Sequence, residues 1–287
     1  MDRAALFLLI VLAALAGCAP RQPAIVVGSK NFTEQVILGE IVAAQIERRL
    51  GIPVERKLNL GGTLLAHEAL ISGAIDIYPE YTGTALTQIL HQPIQRDPAA
   101  VLSAVREGYR AKQVEWLAPL GFNDTFAMVV RSEDARQQQL RTLSDAAQRP
   151  WKLGVGYEFT QRPDGLAGLV KTYGLHIDGE PVTMDLGLLY AALKTHAVDM
   201  AAANATDGML GHDEFLVLED DRHYFPPYEC AFALREETSR RFPGLRAALQ
   251  ELSGRISDQA MRDMNEKVDI AHRPAADVAR EFLDRLK

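Results

Sequence analysis

Cysteine is scarce in this chain, and the motifs of common enzymes and metal-binding proteins are missing. The only cysteines are Cys18 and Cys230, and neither lies in a C-x-x-C pattern that would bind a metal or support redox chemistry. The sequence also lacks a hydrolase nucleophile elbow, a phosphate-binding loop, a dinucleotide fingerprint and a zinc-binding pair of histidines. The net charge is −7 and no basic stripe is present, which argues against nucleic-acid binding. We therefore expect no enzyme activity, no cofactor and no metal site.

The apolar run near the start of the chain is too short to cross a membrane. It covers residues 4–16, and a helix of that length reaches only about 20 Å, whereas a membrane-spanning helix needs roughly 30 Å. Such a run is typical of a signal peptide. It leads into Leu-Ala-Gly-Cys, ending at Cys18, which resembles a bacterial lipobox; a plain signal peptide with an incidental cysteine is the alternative. We expect residues 1–17 to be the signal peptide, Cys18 to carry a lipid and residues 18–23 to form a tether in the periplasm or cell envelope.

Strand and helix patterns alternate along the rest of the chain. Residues 25–28 form a short apolar strand pattern, followed by a helical spacing of apolar residues over 36–50. An alternating strand pattern at 54–60, a helix pattern at 64–72 and a third strand pattern at 75–78 come next. This succession implies βαβ units and mainly parallel sheets flanked by helices, which is the α/β class.

A weak internal repeat predicts two related lobes. Residues 69–77 resemble residues 192–200, and residues 32–35 have a counterpart at nearly the same offset in residues 159–162. Two similar α/β lobes favour a ligand cleft between them, because α/β sheets bind ligands beyond the carboxyl ends of their strands.

Turn-rich segments set the expected lobe boundaries. The first lobe is expected to comprise residues 24–122 and to be completed by residues 223–287, with residues 123–222 forming the second lobe. The chain would then cross between the lobes twice, and such a double crossing is the usual hinge for closing two lobes around a ligand.

Two segments carry candidate binding residues. Residues 28–35, Gly-Ser-Lys-Asn-Phe-Thr-Glu-Gln, lie where a strand leads into a helix. Asn31 could cap that helix, and Lys30 beside its free N–H groups would attract a carboxylate; an ordinary capped helix with a solvent lysine is the alternative. Residues 78–84, Tyr-Pro-Glu-Tyr-Thr-Gly-Thr, offer the ring of Tyr81 to a cation and the hydroxyl of Thr84 to an anion, unless they form only a packed turn.

Together with the tripeptide Thr-Asp-Gly at 206–208, these segments resemble the substrate-binding proteins of osmoprotectant ABC importers. The resemblance covers essentially the whole mature chain. Members of that family bind glycine betaine, choline, carnitine or proline betaine. The resemblance implies a type II periplasmic-binding fold, a partner permease in the inner membrane and a small zwitterionic ligand between the lobes. We expect a monomer that meets the membrane only through its lipid anchor.

The resemblance also implies roles for individual residues, with the ligand's trimethylammonium group in an aromatic box and its carboxylate on cationic and hydroxyl side chains. Tyr81 and Tyr228 match box tyrosines. The positions that match the carboxylate side are Lys30, Thr84 and Arg162.

Two box positions depart from the family pattern. Phe126 stands where the family has a tyrosine and keeps only the ring face. Asn204 stands where another tyrosine is expected, and the internal repeat makes Asn204 the counterpart of Tyr81. A lost cation–π face would cost about tenfold or more in affinity. A different polar zwitterion, such as an amino-acid derivative or an ergothioneine-like compound, is therefore an alternative ligand, and a ligand sensor is an alternative to an importer component.

Overall fold

Two five-stranded mixed sheets organise the protein in a computed structural model that describes residues 24–286. The expected signal peptide, the lipidation at Cys18 and the tether up to residue 23 lie outside the described residues. The strands are β1 Ile25–Gly28, β2 Val54–Lys57, β3 Ile77–Tyr81, β4 Val114–Trp116, β5 Phe126–Arg131, β6 Pro150–Trp151, β7 Leu153–Val155, β8 His176–Ile177, β9 Val182–Thr183, β10 Met200–Asn204, β11 Phe215–Leu218 and β12 Cys230–Arg235.

The two sheets have the same topology. The first runs β2-β1-β3-β12-β4, and the second runs β9-β7-β10-β5-β11. In the order just given, the first three strands of each sheet are parallel to one another, and the fourth strand is antiparallel to both of its neighbours. We call the sheet containing β1 and its helices the first lobe, and the sheet containing β5 and its helices the second lobe. The expected two-lobed α/β fold is confirmed, and the weak sequence repeat reflects this duplicated topology.

Helices pack around both sheets. They are α1 Thr33–Leu50, α2 Thr63–Ile71, α3 Thr82–Thr84 (continued by a π-helical turn Ala85–Ile89), α4 Pro98–Arg110, α5 Ser132–Gln138, α6 Leu143–Ala146, α7 Leu166–Tyr173, α8 Leu189–Lys194, α9 Glu236–Arg241, α10 Leu245–Gln250, α11 Asp258–Asp269 and α12 Ala275–Arg285. In the part of the chain that the structure describes, no helix is both long and apolar enough to cross a membrane.

Helix α1 forms where the apolar periodicity predicts it. Ile37, Ile41 and Ile46 are fully buried, and Gly51 ends the helix because it adopts a left-handed φ of 64° that favours glycine. The predicted cap by Asn31 is wrong. The N-cap residue is Phe32, which makes no side-chain capping bond, because the Asn31 backbone is drawn away by a hydrogen bond from its N–H to the Gly61 carbonyl oxygen at 3.1 Å.

Strand β3 begins later than the sequence pattern predicts. Residues 75–76 lie outside the strand, with a bend at Asp76, whose carboxylate accepts a hydrogen bond from the Val26 N–H at 2.7 Å. The strand then continues to Tyr81, is buried along its whole length and pairs antiparallel with β12. The segment that contains Tyr81 is therefore an interior strand rather than a packed surface turn.

The chain passes between the two sheets twice, through residues 117–125 and 219–229. The two crossings touch each other at an antiparallel bridge between Asn123 and Glu229. The Tyr228 N–H also donates to the Asn123 side-chain oxygen at 2.6 Å. A pair of adjacent connecting segments is the arrangement that permits hinge motion between lobes.

Candidate ligand-binding cleft

One cavity between the two sheets, with a volume of about 1230 Å³, is lined by all seven predicted binding residues. Three come from the first lobe, three from the second and one from a crossing segment. They are Lys30, Tyr81, Thr84, Phe126, Arg162, Asn204 and Tyr228. Residues separated by up to 198 positions thus line the same cavity. Their roles in binding a ligand stay predictions.

Four aromatic side chains that line the cavity form two pairs. In one, the rings of Tyr81 and Phe32 lie nearly parallel with centroids 6.3 Å apart. In the other, Phe126 meets Tyr228 edge to face at 5.7 Å. Phe32 lines the cavity, but sequence reasoning did not assign it a role. Its position beside Lys30 in the quoted motif was the signal that could have identified it.

The protein's own cations already lie over these rings. Lys30 Nζ is 5.1 Å from the Tyr81 centroid, and the Arg162 guanidinium carbon is 5.1 Å from the Phe126 centroid. The negative ring faces therefore attract cations in this cavity, as a quaternary ammonium site requires.

The Lys30 ammonium group binds two neighbouring side chains. It forms a buried ion pair with Glu80 at 2.6 Å and donates a hydrogen bond to the Thr63 hydroxyl at 3.2 Å. Glu80 is completely buried, so the positive charge of Lys30 is neutralised inside the protein. A ligand carboxylate would consequently meet a Lys30–Glu80 pair rather than a free cation.

Arg162 is also paired but keeps free donors. Its Nε and Nη2 atoms donate to the two Asp164 carboxylate oxygens at 2.9 Å and 2.7 Å, and Nη2 also donates to the Thr84 hydroxyl at 3.3 Å. Within residues 24–286, Nη1 has no hydrogen-bond partner. A guanidinium group has five N–H donors, so Arg162 can still bind a carboxylate through Nη1.

Asp164 orients several cavity side chains although the sequence did not single it out. Besides Arg162, it accepts hydrogen bonds from the Tyr228 hydroxyl at 2.7 Å and from the Thr87 hydroxyl of the first lobe at 2.9 Å. It is fully buried. Asp164 therefore holds the guanidinium group and the Tyr228 ring in fixed positions relative to each other.

Asn204 occupies the position that the repeat predicts. It is the last residue of β10, as Tyr81 is the last residue of β3, and these are the equivalent central strands of the two sheets. Asn204 lies opposite Phe126 in the β10–β5 register. Its side-chain amide makes no hydrogen bond to any other residue that the structure describes, so it is available to a ligand. Its backbone N–H donates to Asp207 Oδ2 at 3.1 Å.

The wall near Asn204 is acidic. Glu34, Asp124 and Asp207 all line the cavity. Burial raises the pKa of Glu34 to about 7, although hydrogen bonds from Thr206 and Tyr81 oppose the shift. Burial likewise raises the pKa of Asp207 to about 6. For Asp124, burial and the charge of Glu34 both raise the pKa well above its usual range. Sequence reasoning missed this wall because the three residues come from distant segments.

A carboxylate from the second lobe caps a helix of the first. Glu158 accepts hydrogen bonds from the Thr63 backbone N–H at 2.7 Å and from the Thr63 hydroxyl at 3.0 Å. Helix α2 begins at Thr63, and a negative charge at a helix N-terminus is stabilising. Gly62 allows this approach, because a Cβ atom there would lie 2.2 Å from a Glu158 carboxylate oxygen. The two lobes are thus in direct contact beside the cavity.

No metal centre accompanies these acidic residues within residues 24–286, where no group of three or more His, Cys, Asp or Glu side chains is placed to hold a metal ion.

Comparison with known proteins identifies the family. The model of the family described as the substrate binding domain of ABC-type glycine betaine transport systems matches residues 23–285. The glycine-betaine-binding protein of Pseudomonas aeruginosa is 35% identical over 90% of this chain and 86% of its own length. A solved structure described as a glycine betaine/carnitine/choline ABC transporter has a TM-score of 0.76 and 31% identity, covering 91% of this chain and 98% of the other.

A third relative differs in its stated ligand and in its length. The ergothioneine transport permease/ergothioneine binding protein EgtU of Helicobacter pylori is 32% identical over 98% of this chain. The chain spans about half of that relative, 52% of its length. From the extent of the family match and from the shared two-lobed fold, we conclude that the chain belongs to the substrate-binding domain family of ABC-type glycine betaine transport systems.

Proposed function

We propose that the protein captures a small zwitterion with a quaternary ammonium group outside the cytoplasm and delivers it to an ABC permease. The observation that carries this proposal is a cavity in which Phe126 and Tyr228 lie against the Arg162 guanidinium group, which keeps a free edge, and which Tyr81 also lines. Tyr81, Phe126 and Tyr228 offer ring faces to the ammonium group. Arg162 Nη1, assisted by the Thr84 hydroxyl, receives the carboxylate. Lys30 contributes through its position beside Tyr81, while its charge is balanced by Glu80.

The cell-envelope part of the proposal depends on the N-terminal segment. Cys18 follows a short apolar run in a sequence that resembles a lipobox, which supports a lipid-anchored protein released from a signal peptide of residues 1–17. The name of the Helicobacter pylori relative joins a permease with a binding protein, which favours an importer component over a sensor.

A second candidate ligand is a zwitterion that also carries N–H donors, such as ergothioneine. Two observations favour it. The Asn204 amide is free in the cavity where the family pattern has a tyrosine ring, and the adjacent wall presents the acceptor oxygens of Asp207. Ring N–H groups would find acceptors there that a trimethylammonium group cannot use as hydrogen-bond partners. The stated ligand of the Helicobacter pylori relative has the same chemistry.

Isothermal titration calorimetry with glycine betaine, carnitine and ergothioneine tests both candidates. Hydrogen bonds to charged groups contribute about 1.5–3 kcal/mol, so Arg162→Ala should weaken binding of the true ligand about 10- to 100-fold. Arg136→Ala, which changes an exposed arginine outside this cavity, is the matched control and should have no effect.

Asn204→Tyr separates the two ligand classes. If the cavity binds a simple betaine, the added ring should tighten glycine betaine binding by about 1 kcal/mol or more. If Asn204 recognises N–H donors, the same change should weaken ergothioneine binding, and the affinity for glycine betaine should stay low. Failure of all three compounds to bind the wild-type protein would contradict both candidates.

A further inference from the structure

The Thr206 hydroxyl lies between two carboxyl groups that it cannot satisfy with a single proton. Its Oγ1 atom is 2.5 Å from Glu34 Oε2 and 2.7 Å from Asp124 Oδ1. A hydroxyl group has one hydrogen to donate, so it can serve only one of these two oxygens. The other contact is a hydrogen bond only if a carboxyl group carries the hydrogen and Thr206 accepts it.

Cations do not resolve this conflict. No ion pair among residues 24–286 includes Glu34 or Asp124, as the pairs formed there show. Lys30, a cation of the first lobe that lines the cavity, is bound to Glu80. Arg262, on the neighbouring helix α11, donates to the Ala205 carbonyl oxygen and to Gln259. The other titratable groups around the pair are neutral or acidic: Tyr81, Tyr190, Asp207, Cys230 and Asp269.

The surroundings of the two carboxyl groups are buried and rich in acceptors. Glu34 is 3% exposed, Asp124 is 8% exposed and Thr206 is 1% exposed. Asn265 of helix α11 donates to the Thr206 carbonyl oxygen at 2.8 Å and approaches Glu34 Oε2 at 3.4 Å. Its own Oδ1 atom is buried and has no partner among the described residues. This unpaired acceptor beside the carboxyl pair independently indicates that the site lacks a hydrogen-bond donor.

We propose that Glu34 and Asp124 share one bound proton through Thr206, and that this proton-binding site joins the two lobes. Glu34 belongs to helix α1 of the first lobe, Asp124 to a crossing segment and Thr206 to the loop after β10 of the second lobe. With the proton present, one carboxyl group donates to Thr206 Oγ1 while the Thr206 hydroxyl donates to the other. Without it, the hydroxyl can satisfy only one carboxylate, and the second negative charge faces the first.

The direction of the pKa shifts agrees with this arrangement. Burial raises the pKa of Glu34 to about 7, and burial together with the charge of Glu34 raises the pKa of Asp124. The pair therefore keeps a proton under conditions in which exposed carboxyl groups have lost theirs.

Infrared spectroscopy of the purified protein tests the shared proton directly, because the carbonyl stretch of a protonated carboxyl group is distinct from that of a carboxylate. We expect a carboxylic-acid band at pH 6 that fades towards pH 9. The band should fade at a lower pH in both Glu34→Gln and Asp124→Asn, since either change removes the carboxyl group with which the remaining one shares the proton. Asp207→Asn, a matched change in the same acidic wall, should keep the fading at the wild-type pH, as should Thr206→Ser.

The absence of a band from the wild-type protein at pH 6, or fading at the wild-type pH in Glu34→Gln or Asp124→Asn, would overturn the proposal. Should those variants not fold, carbon-13 NMR of the wild-type protein labelled at glutamate carboxyl groups gives the same answer. One glutamate should then titrate near neutral pH, whereas ordinary glutamates titrate near pH 4.3. Titration of every glutamate in the ordinary range would reject the site. Neither measurement needs a ligand, so its outcome is independent of the proposed transport function.

Discussion

The buried Glu34 carboxyl group should make the protein less stable as the pH rises. Its pKa is raised by burial from 4.5 to about 7 in the folded protein, and it returns to the ordinary value on unfolding. The protonated form therefore favours the folded state. This contribution is complete below pH 4.5 and is lost as the pH rises through about 7.

The size of this effect follows from the pKa difference. One pKa unit corresponds to 1.36 kcal/mol, so a shift from 4.5 to about 7 is equivalent to about 3 kcal/mol of unfolding free energy. Replacing Glu34 with glutamine mimics the protonated carboxyl group and cannot ionise. Between pH 5 and pH 8, the wild-type protein should therefore lose about 2.5 kcal/mol more stability than Glu34→Gln does.

Urea unfolding at several pH values measures this difference. Trp116 and Trp151 are both buried, so their fluorescence reports the loss of structure in each lobe. Glu107→Gln changes a glutamate whose side chain is 68% exposed and should follow the wild-type pH dependence. If Glu34→Gln also follows the wild-type curve, Glu34 is ionised in the folded protein and the reasoning about its burial is wrong.

Two further predictions concern lobe contact and membrane attachment. Glu158→Ala removes the two hydrogen bonds to Thr63 that join the lobes, so it should weaken the affinity for the confirmed ligand about tenfold. Calorimetry measures this loss. An equal loss of affinity in Glu180→Ala, a change of an exposed glutamate, would show that the contact between the lobes is not responsible. Cys18→Ser should move the protein from the membrane fraction to the soluble fraction of fractionated cells, and its retention in the membrane fraction would contradict the lipid anchor.

The cavity residues found by resemblance differ from those found only in the structure in one respect. Tyr81, Thr84 and Arg162 lie in short recognisable motifs, so their sequence context identified them. Asp164 was not identified, although it is only two residues from Arg162, because its partners Tyr228 and Thr87 are more than 60 positions away in the chain.

Local pattern was enough to place most secondary structure, and it failed where a distant contact decided the outcome. The periodicity of α1 and the strand pattern of β1 agree with the structure. The predicted cap at Asn31 failed because the Gly61 carbonyl oxygen competes for its backbone, and β3 was placed too early because Asp76 binds Val26 across the sheet. Neither contact can be predicted from the residues that are adjacent in the sequence.

The sequence by itself determined the α/β class, the duplication of the lobes and the residue types of the cavity, because apolar periodicity, repeats and motifs are properties of neighbouring residues. Only the tertiary structure decided how the charges in the cavity are balanced. Lys30 is neutralised by Glu80, Arg162 keeps one free edge beside Asp164, and Glu34 is buried against Thr206. Charge balance depends on distance and burial between segments far apart in the chain, and these quantities exist only once both lobes have folded against each other.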